Sequence, residues 1–221
     1  MMQQGSCDCS KTELDVSAVP PTMSAMQDRQ WTEHYPISDL INSTPIEFII
    51  PSQTEKWTDL NQSNLYIKFK VLKADGTDLE IGPESSVVNN FFHSMFSSID
   101  LHLNNKLISS NSHTYPHRAY IENLLSYNKE CKDTQLRAFV LWDKDTATHM
   151  QDNTRAAAND GWKRRRTRIA ESKSCELIGR LHLDLFLQEK YLPNGIEIRL
   201  MLNRASTNFC LMGTAEGKID I

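Results

Sequence analysis

The chain has 221 residues and a formal net charge of −4, and 39% of its residues are hydrophobic. This length suits one large β domain or two small ones, and we interpret it as one domain with a packed core. The slight acidity excludes a surface that binds nucleic acid or an anionic membrane throughout, and no apolar run approaches the roughly 18 residues of a membrane-spanning helix.

The amino-terminal segment is polar and lacks a sustained period, with Pro20-Pro21 and scattered Ser, Thr and Met residues. We predict a flexible arm over residues 1–30 and a single domain over residues 31–221. The arm is either a disordered tail, which its composition favours, or a segment that becomes ordered against a neighbouring subunit. It contains no apolar run long enough for the core of a signal peptide.

The cysteines follow no spacing that is typical of a disulfide framework. Only Cys7 and Cys9 lie close together, and the residues after them offer acids and hydroxyls, whereas a zinc site needs two more strong ligands. We therefore expect reduced thiols in an intracellular protein. The cysteines are at positions 7, 9, 131, 175 and 210.

Several segments alternate apolar and polar residues with a period of two, which is typical of strands with one buried face. Asp75-Gly76 ends one of them as a turn, and Asn104-Asn105 tolerates the left-handed backbone of a tight hairpin. Pro193-Asn194-Gly195 separates the last two. The predicted strands are residues 46–50, 65–71, 99–104, 181–186 and 196–203.

Short helical patterns lie between the predicted strands. One covers Val88 to Phe96, a clearer one begins with Thr114 as a cap and Pro116 in its first turn, and a third covers Asp133 to Trp142. Many strands, with helices confined to the connections, favour an all-β fold. We predict an antiparallel β sandwich with a jelly roll among the leading candidates, although periodicity alone does not choose the topology.

The strongest hint of chemistry is His182-Leu183-Asp184, because an alternating strand would place His182 and Asp184 on one face, as an iron-binding facial triad requires. No histidine follows His182 to supply the third ligand. His93, on a largely apolar helix, fits a core-edge residue with a satisfied hydrogen bond. No motif for nucleophilic or nucleotide chemistry occurs. We expect no catalytic, cofactor-binding or metal-binding residues, and an iron-dependent oxygenase is the weakest alternative.

A run of positive charge lies within a segment that we interpret as a long loop over residues 146–174. Such runs usually cover solvated loops, and only Trp162 is at hand for stacking on a base. They are also suited to phosphate contact or nuclear import. We expect any nucleic-acid contact here to be independent of base sequence. The candidate polyanion contacts are Lys163, Arg164, Arg165, Arg166 and Arg168.

Segments spread over nearly the whole chain resemble one family of viral proteins. They are Pro20-Pro21-Thr22, Pro45 to Pro51, Val88 to Phe96, Thr114 to Tyr127, Leu177 to Phe186 and Phe209 to Met212. On these segments the chain resembles the amino-terminal half of the double jelly-roll major capsid proteins of Polinton (Maverick) elements and adintoviruses. The resemblance implies an eight-stranded jelly roll with short helices in its connections.

The resemblance also implies a structural virion protein whose trimeric capsomers tile an icosahedral shell together with other capsid proteins. It places the protein in the virion capsid, and in the nucleus or cytoplasm during assembly. The family has two jelly rolls per chain, whereas 221 residues hold only the first with its loops. We therefore expect a truncated copy, one exon's product or an excerpt, with the arm, the long loop and the faces of the last strands as contact elements.

A second class of function stays open from the sequence. A β sandwich derived from a mobile element can be a relic, or can be reused by a host as a module that binds proteins or glycans. The gene's neighbours distinguish these classes, because a packaging ATPase, a maturation protease and a minor capsid gene accompany a capsid gene.

Overall fold

The computed structural model describes residues 28–40, 44–79, 85–110, 112–154, 156, 158–213 and 217–221. The chain divides into two compact units, Met1–Glu33 and His34–Ile221. The described residues of the first unit, 28–33, contain no regular secondary structure. Most of the predicted arm, residues 1–27, lies outside the described residues.

The second unit contains all the strands of the described part of the chain, and every strand pair is antiparallel. The strands are β1 (Ile46–Ile50), β2 (Leu65–Lys73), β3 (Ser85–Val87), β4 (Phe96–Leu103), β5 (Lys106–Ser110), β6 (Cys175–Gly179), β7 (Ile198–Arg204), β8 (Leu211–Gly213) and β9 (Gly217–Asp220).

Short helices fill the connections. The α-helices are α1 (Phe91–Ser94), α2 (Tyr115–Ser126), α3 (Lys129–Cys131), α4 (Arg137–Phe139), α5 (Asp160–Ile169), α6 (Asp184–Leu187) and α7 (Thr207–Cys210). A π-helical stretch, Lys132–Leu136, joins α3 to α4, and 3-10 turns cover Leu60–Gln62 and Ala170–Ser172. No helix in the described ranges is long and apolar enough to cross a membrane.

The strand order is that of a jelly roll. One sheet has the order β1-β7-β4-β5, a second has the order β6-β2-β9, and β3 pairs with β8 in a short ribbon. Along the chain, β1, the β4–β5 hairpin and β7 belong to the first sheet, while β2, β6 and β9 alternate with them in the second. These crossings between two antiparallel sheets define the all-β sandwich that the sequence predicted. The two main sheets hold seven strands among the described residues.

The core lies between the inner faces of these sheets. Ile67, Phe69 and Val71 of β2 are buried at every second position, as are Ile99 and Leu101 of β4. Alternation in a strand sends successive side chains to opposite faces, so these residues point inward together. The Phe69 ring packs against the Phe91 ring of α1 with centroids 4.8 Å apart. The first helix after the ribbon is therefore part of the core.

Several predicted elements are confirmed. Residues 46–50 form β1, and residues 65–71 lie within β2. Asn104 and Asn105 turn the β4–β5 hairpin with φ values of 47° and 63°, in the left-handed region that asparagine tolerates. The helix predicted after Thr114 is α2, although the Thr114 side chain makes no capping hydrogen bond.

The strand predicted over residues 181–186 is wrong. β6 ends at Gly179, and α6 begins at Asp184. The buried residues there are Leu181, Leu183 and Phe186, a spacing of two and then three. This pattern is typical of a short extended segment followed by one helical turn. Leu181 and Leu183 alone have the two-residue spacing of a strand, and this spacing led to the wrong prediction.

Three other boundaries differ from the prediction. The helix predicted over 88–96 is the single turn α1, because Asn90 adopts a left-handed conformation before it and β4 begins at Phe96. The helix predicted over 133–142 runs from Lys129 to Phe139 and ends before Leu141, whose φ is 56°. The long loop predicted over 146–174 contains the ten-residue helix α5.

Candidate functional site

Two histidines and a tyrosine meet where α1, α2 and the segment before α6 come together. Nδ1 of His93 lies 3.0 Å from the hydroxyl of Tyr115, and the backbone N–H of His182 donates to the same hydroxyl at 3.5 Å. The His93 and His182 rings pack edge to face with centroids 4.6 Å apart. His93 is 1% exposed and Tyr115 is fully buried. The predicted hydrogen bond of His93 is confirmed, and the residue lies within the core and not at its edge.

A chain of charged groups extends this junction toward the surface. Nδ1 of His182 lies 2.5 Å from Oε2 of Glu122. Arg118 donates from Nε to Oε1 of Glu122 at 2.7 Å and from Nη2 to Oδ1 of Asp184 at 2.6 Å. Tyr115, Arg118 and Glu122 lie at i, i+3 and i+7 on α2, so one helix face supplies all three. We call the six residues His93, Tyr115, Arg118, Glu122, His182 and Asp184 the polar junction.

Burial sets the protonation of the histidines in this junction. Desolvation, together with the nearby His182, holds the pKa of His93 well below its ordinary value. Desolvation also lowers the pKa of His182, although the Glu122 carboxylate acts in the opposite direction. Both rings are therefore neutral at pH 7. The buried Tyr115 phenol has a raised pKa, mainly through desolvation, and stays protonated.

The acids of the junction are ionised. Burial raises the pKa of Glu122, but the hydrogen bonds from Arg118 and His182, together with the charge of Arg118, outweigh it and bring the pKa below its ordinary value. The hydrogen bond and charge of Arg118 lower the pKa of Asp184. The junction thus holds two carboxylates around one guanidinium, with the neutral His182 imidazole donating to one of them.

The junction does not form the facial triad considered for His182 and Asp184. The two residues do not share a strand face, because Asp184 begins α6 and pairs with Arg118 while His182 faces Glu122. Across the described ranges, no group of three or more His, Cys, Asp or Glu side chains is placed to hold a metal ion. The side chains of the junction bond to one another, and this arrangement fixes α2 on the sandwich.

The basic run lies on α5, and Arg165 within it is fully buried. Its guanidinium donates to the carbonyl of Val87 at 2.7 Å, to the carbonyl of Asp143, and to the carboxylate of Asp145 at 2.6 Å. The prediction that Arg165 contacts a polyanion is wrong, because its donors are taken up inside the protein. Gly161 lets the helix approach closely, since a Cβ there would lie 2.3 Å from the carbonyl oxygen of Lys144.

The other cations of the run differ in exposure. Arg164 and Arg168 are exposed, and Lys163 is half-buried. Arg166 is also half-buried, with its guanidinium 5.9 Å from the centre of the Trp162 ring. Trp162 is itself buried and cannot stack on a base. The sequence carried a signal for this, because Trp162, Arg165 and Ile169 recur at helical spacing on one face, which is the buried face.

The outer side of α2 carries an apolar stripe that sequence reasoning missed. Ile121, Leu124 and Leu125 are 54%, 39% and 78% exposed. They lie at i, i+3 and i+4, so they are neighbours on the helix surface. The opposite face holds the buried Ala119 and Asn123. Large apolar side chains grouped on a helix face, away from the core, are typical of an interaction surface.

The strand order defines a jelly-roll protein, and comparisons with known proteins add the following. No family model matches the chain. An uncharacterized protein of Caenorhabditis elegans is 24% identical over 211 residues, which is 90% of this chain and 47% of that protein. The crystal structure of the mavirus major capsid protein matches 96% of this chain and 50% of its own, with 13% identity and a TM-score of 0.44. The chain spans about half the length of both proteins.

Proposed function

We propose that this chain is a structural subunit of a viral shell and corresponds to the first jelly roll of a double jelly-roll major capsid protein of the Polinton and adintovirus kind. The observation that carries the proposal is the alternation of strands between two antiparallel sheets. It supplies the jelly roll that the sequence resemblance implies. As a capsomer subunit, the chain works by geometry: a rigid sandwich presents edges and faces, and burial of those faces holds the shell together.

The polar junction supports a structural role for its residues. A catalytic group needs a free position that faces substrate, whereas the carboxylates of Glu122 and Asp184 are bonded to Arg118, and the His182 imidazole to Glu122. Hydrogen-bonded networks of this kind fix one packing arrangement. The junction orients α2, and α2 in turn presents the apolar stripe of Ile121, Leu124 and Leu125.

The apolar stripe is the surface that we assign to self-association, with a second copy of this chain as its occupant in a trimer. Fully burying one such aliphatic side chain contributes about 1.5 to 3 kcal/mol. A stable interface needs an apolar centre of this type with polar residues around it. Lys129 and Glu130, which follow α2 in the chain, are exposed polar residues.

Mass photometry of the purified chain over a range of concentrations tests the proposal. We expect trimers or larger closed particles whose fraction rises with concentration. A monomer at every concentration contradicts self-association. Such a monomer favours the other class of function, a relic or a host-reused module that binds proteins or glycans.

Within this function, we assign nonspecific contact with packaged nucleic acid to the exposed face of α5. Lys163, Arg164 and Arg168 surround Thr167 on the side of the helix opposite Trp162 and Arg165, as the helical period requires. Three cations on an anchored helix attract phosphate without reading bases. The protein would then be found in the virion capsid, with nuclear or cytoplasmic assembly beside other capsid proteins.

A further inference from the structure

The attachment of α2 to the sandwich depends heavily on polar groups. The residues that α2 buries are Tyr115, Pro116, Ala119 and Asn123, and Asn123 donates to the Asn90 side chain at 3.1 Å. The Tyr120 ring also stacks on the Trp142 ring, with centroids 4.9 Å apart. Few aliphatic side chains are among the residues that α2 buries, so polar groups contribute to its attachment beside the Tyr115 and Tyr120 rings.

His182 lies at the centre of these polar contacts. From α2 it faces Glu122, Arg118 and the Tyr115 hydroxyl, and from α1 it faces His93. From α6, Asp184 reaches the same group through Arg118. A proton added to His182 would place a second cation beside Arg118 and the buried His93 ring, with the Glu122 carboxylate as the opposing charge.

We propose that the polar junction is a proton-operated latch, in which acidification releases α2 from the jelly roll while the two sheets stay folded. In the closed state both histidines are neutral, with His93 buried and His182 half-buried. In the open state both imidazoles reach water and accept protons, so acid draws the equilibrium toward the open form. The latch is a property of the fold itself and does not depend on the function proposed above.

The direction of the pH effect follows from the two histidines. Their pKa values in the closed state lie below the ordinary value of 6.5, mainly because of burial. The open state therefore binds more protons once the pH falls below about 6.5, and the closed state loses stability from there downward. Glu122 and Asp184, with lowered pKa values, add a further loss only when the pH falls through their own lower range.

Hydrogen–deuterium exchange of the full chain at pH 7.5 and pH 5.5, corrected for intrinsic exchange rates, tests the latch. Each histidine that is neutral when closed and titrates normally when open raises the opening constant by up to about tenfold between these pH values. We expect the opening constant of α2 (Tyr115–Ser126) to be about tenfold higher at pH 5.5 than at pH 7.5, and higher still if His93 contributes fully. Strands β1 and β7 should keep their protection.

Substitutions assign the effect to the junction. His182→Gln keeps a donor for Glu122 but does not titrate, so the ratio of opening constants should fall by up to about tenfold relative to wild type. His149→Gln is the matched control, because the His149 side chain is 44% exposed and pairs with Asp152, three residues away and outside the polar junction. It should leave the ratio unchanged.

Three results would overturn the proposal. The first is an α2 opening constant that is equal at both pH values in the wild-type chain, a result that needs no variant to fold. The second is a ratio of α2 opening constants at the two pH values that is the same in His182→Gln as in the wild-type chain. The third is loss of protection in β1 and β7 in step with α2, which would indicate global unfolding.

Discussion

Arg165 connects three parts of the chain that are far apart in sequence. Its guanidinium lies on α5 and bonds to the end of β3 at Val87 and to Asp143 and Asp145 before the helix. Ordinary surface arginines contribute little to stability, because water competes for their donors. A fully buried arginine is different, since its removal takes a buried donor away from two carbonyls and from the Asp145 carboxylate.

Replacing Arg165 with methionine therefore tests its structural role. We expect Arg165→Met to lower the free energy of unfolding by about 3 kcal/mol, because removing one partner of a buried ion pair leaves the Asp145 carboxylate without its opposite charge. Urea denaturation followed by tryptophan fluorescence measures the change. Arg168→Met, on the exposed face of the same helix, removes an identical charge and should shift the free energy by less than about 0.5 kcal/mol. Equal effects of the two substitutions would refute this account.

At the scale of elements, the sequence predicts best where local chemistry and tertiary packing agree. β1 lies between Pro45 and Pro51, and the Asn104-Asn105 pair favours a turn over a continued strand. Both elements therefore occur at the residues where the sequence predicts them. The stretch from Leu181 to Phe186 fails because period two and one helical turn share the same leucines. The sequence did not predict α5, because its run of cations is typical of an exposed loop. The burial of one of its faces depends on the partners of Arg165, which are distant in sequence.

At this scale, we predict that the cations on the exposed face of α5 bind DNA without base specificity. Lys163→Gln with Arg168→Gln should weaken binding to a fluorescent random-sequence DNA duplex and reduce the slope of log affinity against log salt by about one per lost phosphate contact. Fluorescence anisotropy between low and moderate salt measures both. Lys68→Gln with Lys70→Gln on β2 removes the same charge elsewhere. An equal loss in that control would indicate a net-charge effect and no site on α5.

At the scale of the whole molecule, the two faces of α2 combine the polar junction with the surface to which we assign self-association. The inner face is fixed through Arg118 and Glu122, while the outer face leaves Leu125 in water at 78% exposure. Contiguous exposed apolar groups on a monomer favour aggregation, and burial against a second copy would remove that liability. The topology of the sandwich could be anticipated from the family resemblance, but this surface could not, because the helical pattern does not say which face the sheets cover.

Leu125→Glu should uncouple folding from self-association. Leu125 makes little contact in the isolated chain, so its unfolding free energy should change by less than about 0.5 kcal/mol. Placing a carboxylate in an apolar interface removes about 1.5 to 3 kcal/mol of burial and adds a desolvation cost, so we expect trimer formation to weaken at least tenfold. Mass photometry measures the trimer fraction. Ser126→Glu adds the same charge one residue along, at the exposed end of α2, and serves as the control. Undiminished trimers in Leu125→Glu would exclude the stripe as the contact, because no interface could bury that carboxylate unpaired at so small a cost.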